Sequence, residues 1–139
     1  MNYTFSIIKP DAFNAGKAGK ILAHLEAQGF VIKAARVLRF SKAQAEEFYA
    51  VHRGRPFYAE LVEFMSSAPC MPFVLEKANA VQALRDAIGA TDPAEAAAGT
   101  VRKLFAESKG RNAIHASDSD ENAVRETAFV FATSDMITG

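Results

Sequence analysis

The residues best suited to chemistry lie in Asn112–Asp118, which reads Asn-Ala-Ile-His-Ala-Ser-Asp. His115 ends a short apolar stretch, and Ser117, Asp118, Ser119, Asp120 and Glu121 precede a helical pattern. Imidazole is nucleophilic and largely unprotonated near neutral pH, with a reference pKa of about 6.5. On a short strand before a helix start, its ring would be fixed in direction. It would also lie near backbone N–H groups that favour anions. That suits a nucleophile that accepts a phosphoryl group, although a lone histidine is more often a structural or surface residue. Lys9, at a strand tip, is a second candidate, as either a functional or a solvated cation. Gly16-Lys17-Ala18-Gly19-Lys20 lacks the spacing and the Ser/Thr of a phosphate loop.

The elements that must position these groups alternate strands with helices. Tyr3, Phe5 and Ile7 alternate with polar residues, which predicts a strand over Tyr3–Lys9 that stops at Pro10. Ala18, Ile21, Leu22 and Leu25 form one face of a helix ended by Gly29. Phe30–Phe40 reads as a second strand. Ser41 with Gln44 predicts a capping box, opening a helix with Ala45, Phe48, Tyr49 and His52 on one face. Arg53-Gly54-Arg55-Pro56 breaks it. Pro56 can open the next helix, whose face holds Phe57, Leu61, Phe64, Met65 and Ala68. Aromatics so spaced are more often core than a ligand platform.

Pro69–Lys77 reads as a third strand, in which Pro72 suggests a bulge or an edge. Asn79 with Gln82 predicts the cap of a helix with Val81, Leu84 and Ile88 on one face, Arg85 on the other, and Gly89 at its end. Ala90–Arg111 lacks a long periodic pattern, which usually marks a functional loop; a short helix is expected around Val101–Ala106. Ala113–His115 would be a fourth strand. Asp118 with Glu121 would cap the last helix, whose face is Val124, Thr127, Ala128 and Phe131, before a tail at Ala132–Gly139. Helical connections between strands favour a helix-covered sheet, most economically βαββαβ with extra helices.

Composition narrows the function classes. The chain has 139 residues, near the size of one domain, and half are apolar. No apolar run approaches the roughly 20 residues that span a bilayer, and the start shows no export pattern. The single cysteine, Cys70, fits a reducing compartment and leaves no Cys-based metal site. Sixteen basic residues balance sixteen acidic ones, so neither nucleic acid nor a membrane surface is an expected partner.

Taken together, five ordered stretches resemble the nucleoside diphosphate kinases. They are Ile7-Ile8-Lys9-Pro10-Asp11, Phe48-Tyr49 with Arg55-Pro56-Phe57, Gly89-Ala90-Thr91-Asp92-Pro93, Gly99-Thr100-Val101-Arg102, and Asn112 through Asp118. The resemblance covers nearly the whole chain. It implies one domain over residues 1–139 with an α+β, ferredoxin-like βαββαβ sandwich, additional helices and a long loop near 90–111. It also implies transfer of a γ-phosphoryl group from a nucleoside triphosphate to a nucleoside diphosphate, in two half-reactions through a phosphohistidine at His115.

The same resemblance implies the supporting roles. Glu126 would hold the imidazole tautomer, and Tyr49 and Ser117 would support the ring or the phosphate. Lys9, Arg85 and Arg102 would gather on the phosphates, Thr91 would donate its hydroxyl there, Asn112 would bind the ribose region, and Phe57 would stack on the base. Stacking tolerates many bases, so a broad substrate range is expected. Mg²⁺ would be held mainly by nucleotide phosphates, with no protein metal site. Asp118 is read as structural, and His24 and His52 as incidental. A cytoplasmic homo-oligomer is expected, with dimer, tetramer and hexamer all open. Ala116 replaces a frequent glycine, where a Cβ would strain the backbone if φ were positive. Lys77 also replaces a frequent glycine. A non-catalytic nucleotide-binding or interaction module of the same fold is the alternative. An RNA-binding βαββαβ domain lacks both the basic surface and the strand motif it would need.

Overall fold

Four strands form one antiparallel sheet in the order β2-β3-β1-β4. They are β1 (Tyr3–Ile8), β2 (Val31–Ala35), β3 (Met71–Glu76) and β4 (Ile114–Ala116). The computed structural model describes residues 1–136. Between β1 and β2 lie α1 (Pro10–Asn14) and α2 (Ala18–Ala27), and between β2 and β3 lie α3 (Lys42–Phe48) and α4 (Tyr58–Ser66). Helices α5 (Ala80–Ile88) and α6 (Val101–Phe105) precede β4, and α7 (Asp120–Val130) follows it. The result is the expected α+β, ferredoxin-like sandwich.

Strand alternation divides the core in two. One half joins Ile8, Phe73, Leu75 and Ile114 of the sheet to Ile21 and Leu25 of α2 and to Leu84 and Ile88 of α5. The other joins Phe5, Ile7 and Val74 to Phe48 of α3, Val62 and Met65 of α4, and Val130 of α7. Phe5, Phe48 and Phe73 are fully enclosed. Each such side chain contributes roughly 1.5–3 kcal/mol over an exposed one.

Pro72 lies in β3, an interior strand, and neither on an edge nor at a bulge. The irregularity sits in β2, between Ile32 and Ala34. Arg36 N–H donates to the Pro72 carbonyl at 3.1 Å, but Pro72 has no N–H to return. The pairing therefore stops at Ala35, well short of the expected Phe40, and resumes only as a single bridge between Leu38 and Cys70. The Pro72 carbonyl faces β2, so its missing donor removes no bond to β1.

Two caps differ from expectation. Ser41 and Gln44 form their capping box, but Asn79 caps nothing through its side chain, because its backbone is left-handed at φ +53°. A side-chain cap needs the extended conformation. At α7 the cap is Ser119, not Asp118: Ser119 Oγ accepts from Asn122 N–H. Helix α7 buries Ala123, Glu126, Thr127 and Val130, while Val124 and Ala128 face solvent. Small Ala123 and branched Val130 thus turn Glu126 inward. Pro56 lies in a turn ahead of α4 and does not open that helix. The tail forms a 3-10 turn over Thr133–Asp135, and the remainder of the expected tail, 137–139, lies outside the described residues.

Candidate active site

His115 is the middle residue of β4, opposite Ile7 of β1. Buried Ser6 pins this strand by donating from Oγ to the His115 carbonyl at 2.6 Å. The imidazole is bordered by the rings of Phe48, Tyr49 and Phe5, with centroids at 5.6, 6.1 and 6.2 Å, all at steep angles. Its Nε2 lies 2.6 Å from Oε1 of Glu126, and Ser117 Oγ donates to that same oxygen at 2.8 Å. Glu126 is 5% exposed, so the carboxylate acts in a poorly solvated place. A proton on Nε2 directed at Glu126 leaves the lone pair on Nδ1.

Tyr49 is buried, and its hydroxyl has no hydrogen-bond partner among the described residues. Burial, reinforced by the charge of Glu126, pushes its phenol far above the usual range, so it stays a neutral donor. His52 stacks on Tyr49 at 6.3 Å and meets the edge of Phe57 at 5.2 Å. A row of rings therefore runs from Phe57 to His115, and His52 is one of its links.

Phe57 caps the start of α4 and is 47% exposed. It lines a cleft of about 910 Å³ together with Lys9, Thr91, Asn112, Phe64, Arg111 and neighbouring residues. Lys9 is 8% exposed, and its Nζ donates to Asn112 Oδ1 at 3.0 Å and lies 5.7 Å from the centre of the Phe64 ring. Burial lowers its pKa to about 8, against the carboxylate of Asp11 and with help from Arg102. The Asn112 amide in turn donates weakly to the Thr91 carbonyl at 3.4 Å.

Arg102, on α6, donates to the Gly89 carbonyl at 3.1 Å and to the Ile114 carbonyl at 2.8 Å. Burial and the nearby Arg85 lower its pKa to about 10, which leaves it charged at neutral pH. Arg85 lies on the exposed side of α5. The charge of Arg85 is thus felt at the Arg102 guanidinium. Gly89 makes this approach possible. It has φ +86°, and a Cβ there would meet Thr100 Oγ1 at 2.6 Å.

The expected residues thus fall into two groups. Lys9, Phe57, Thr91 and Asn112 line the cleft, whereas His115, Glu126, Ser117 and Tyr49 form a cluster of their own. Arg102 joins the groups through the Ile114 carbonyl, one residue before His115. Asp118 instead accepts from the Asn122 side chain at 2.6 Å, which is the main reason its pKa is lowered. Ala116 is extended within β4, paired with Ser6, so no backbone strain arises there. Within Asn112–Asp118 the residue with positive φ is Ala113, at +74°. Neither Ala113 nor Asp11, which accepts its N–H, was a candidate from sequence; they meet across 102 positions. The motif Lys-Pro-Asp was the only signal, and Asp in a first helical turn ordinarily means a helix-end charge.

Among the described residues no group of three His, Cys, Asp or Glu side chains could hold a metal ion. No helix among them is long and apolar enough to cross a membrane.

The nucleoside diphosphate kinase family model matches residues 2–136. The chain is 55% identical to a nucleoside diphosphate kinase from Chlorobium chlorochromatii over 99% of this chain and 98% of that one. It is 56% identical to one from Phenylobacterium zucineum, over 98% and 97% respectively. Among solved structures, that of the Aquifex aeolicus nucleoside diphosphate kinase superposes with a TM-score of 0.96 at 47% identity, covering 98% of this chain and 99% of that one. A halophilic nucleoside diphosphate kinase from Halobacterium salinarum in complex with CDP gives 0.94 at 34%, covering 100% and 93%. Sequence, fold and relatives agree over nearly the full described length, and the chain belongs to the nucleoside diphosphate kinase family.

Proposed function

We propose that the γ-phosphoryl group passes from a nucleoside triphosphate to a nucleoside diphosphate through Nδ1 of His115. The observation that carries this is the 2.6 Å contact between His115 Nε2 and Glu126, which leaves Nδ1 as the nucleophile. In the first half-reaction an N–P bond forms at Nδ1 as the bond from the γ-phosphorus to the bridging oxygen breaks. Its electron pair leaves on the nucleoside diphosphate. The ring, carrying its proton on Nε2, becomes cationic and is balanced by Glu126. In the second half-reaction a diphosphate oxygen takes the phosphoryl group and the ring returns to neutral. Transfer between nucleotides is the activity of the family; the phosphohistidine is the step proposed for this chain.

Lys9, Arg85 and Arg102 would bind the phosphates, with Thr91 donating its hydroxyl. Such preorganised cations oppose the charge that spreads over the transferring group. Asn112 would reach the ribose, Tyr49 would donate to the ring or the phosphate, and Phe57 would offer its exposed face to the base. The ion is expected to be Mg²⁺, held by phosphate oxygens and water and neutralising phosphate charge. The cations and amides lining the cleft suit phosphates better than a bare metal.

Residues 1–139 would act as one domain, a reading supported by the extent of the family match. Self-association is supported by the open edge of β2, where Val31 is 53% exposed, and by Val37 at 56%. The buried free thiol of Cys70 supports the cytoplasm.

The test is a single half-reaction with Mg²⁺ and γ-labelled ATP, without acceptor. Label should stay on the protein, map to His115, resist alkali, be lost in acid, and leave on adding a nucleoside diphosphate. Nucleotide binding without label would assign the chain to the non-catalytic alternative.

A further inference from the structure

Asp11 has no part in the roles above, yet it is 6% exposed in the first turn of α1. Its Oδ2 accepts the Ala113 N–H at 2.9 Å, and its buried Oδ1 has no hydrogen-bond partner among the described residues. The residue it grips is strained. A left-handed alanine costs on the order of 1–3 kcal/mol and persists only where its surroundings impose it. Ile114 N–H donates to the Asn112 carbonyl at 2.9 Å, which closes a three-residue turn centred on Ala113. Lys9 N–H donates to the Ala113 carbonyl at 2.9 Å. One end of this turn bears Asn112, bonded to Lys9 Nζ, and the other leads into His115.

The charges around Lys9 have a clear asymmetry. Arg102 approaches from α6, and Arg111 lies 5.8 Å from the centre of the same Phe64 ring that Lys9 faces. Asn112 is neutral. At Lys9 the charge of Asp11 opposes burial and the charge of Arg102. Glu60 also lines the cleft, but it is exposed on α4.

We propose that Asp11 is a positioning residue with two separable duties: its Oδ2 fixes the turn that sets Asn112 and His115 relative to Lys9, and its carboxylate, seated on Ala113 next to the Asn112 that binds Lys9 Nζ, supplies the counter-charge at this cationic corner. The kinetic part rests on the phosphohistidine reading above; the structural part does not.

Three variants separate the duties. Asp11→Asn keeps an oxygen for the Ala113 N–H and removes the charge. Asp11→Ala removes both. Asp11→Ala with Ala113→Gly lets glycine take the left-handed conformation unaided. Lys9 is followed by NMR titration with labelled lysine, the turn by amide exchange at Ala113, and function by kcat/KM for ATP in the half-reaction. That ratio reports the free enzyme.

In Asp11→Asn, Lys9 should titrate at lower pH, with the Ala113 amide still protected. Its kcat/KM should match wild type near about pH 6 and fall about tenfold below it near about pH 9 for each unit that the Lys9 pKa drops. Asp11→Ala should be slower at both pH values, with at least about tenfold faster exchange at Ala113. The double variant should recover the loss at low pH only.

An unchanged Lys9 titration in Asp11→Asn overturns the charge duty. Low-pH activity in the double variant no better than in Asp11→Ala overturns the turn duty, as does unchanged exchange in Asp11→Ala. A wild type that takes no label, while NMR follows these expectations, overturns the phosphohistidine reading and supports both duties of Asp11.

Discussion

His115 Nε2 and Glu126 Oε1 lie 2.6 Å apart, and Ser117 donates to the same carboxylate oxygen. The histidine is on an edge strand and the glutamate on the helix that follows. A neutral amide in place of the carboxylate can still accept a hydrogen bond, but it cannot balance a cationic phosphoimidazole. Glu126→Gln should therefore slow labelling of His115 about 10²-fold or more, with nucleotide affinity nearly unchanged. Rapid-quench measurement of the half-reaction checks this. Equal labelling rates would remove Glu126 from the mechanism.

Lys9 carries a pH dependence of opposite sign for binding and for stability. Its pKa in the folded chain is about 8, below the ordinary 10.5. Between these values the unfolded chain holds more protons, so this group's contribution to folding stability rises with pH. The charge needed for phosphate is lost over the same window. Affinity of the free protein for Mg·ADP should fall as pH rises past about 8, whereas Lys9→Met should flatten this dependence and raise the apo melting temperature. Calorimetry against pH tests both. A wild-type affinity flat across that range, or a Lys9→Met protein that melts lower, contradicts the assignment.

Gly89 is required by its surroundings. Its φ is positive, and a side-chain methyl carbon at this position would come within 2.6 Å of Thr100 Oγ1. Gly89→Ala should cost roughly 1–3 kcal/mol and lower the melting temperature by several degrees. Because Gly89 also accepts from Arg102, nucleotide affinity should fall with it. Thermal melts and binding titrations on one preparation will show whether the two losses occur together.

Phe57 meets His52 at 5.2 Å but leaves much of its ring exposed to the cleft. Phe57→Ala should weaken nucleotide binding by about 1–3 kcal/mol with little change in the chemical step. His52→Ala should weaken binding less, because it removes a support for the ring and not the ring itself. A raised KM with steady kcat is the expected pattern; a fall in kcat alone would place Phe57 elsewhere in the mechanism.

Much of the fold was legible in the residues themselves. Alternation at Tyr3, Phe5 and Ile7, the Ser41–Gln44 capping box and the glycines at 29 and 89 are local signals, so each element they mark formed near its expected place. The motif around His115 was equally local. It marked the strand, the serine and the helix that follows, and the ordered motifs pointed to the family. Pro72 misled because its lost donor matters only on the side facing β2, and the side on which a strand finds its partner is a property of the sheet.

What required the tertiary structure is whatever depends on pairs distant in sequence. The inward turn of Glu126 is decided by the packing of Ala123 and Val130 against the sheet, and helical spacing alone favoured a face containing Val124. The lowered pKa of Lys9 comes from burial and from Arg102, neither visible in its own strand. Asp11 and Ala113 are joined by one hydrogen bond across 102 positions. Sequence determines which groups are present and which local conformations they prefer. Desolvation and long-range contacts, which set charge and strain at the site, exist only once the chain has closed around them.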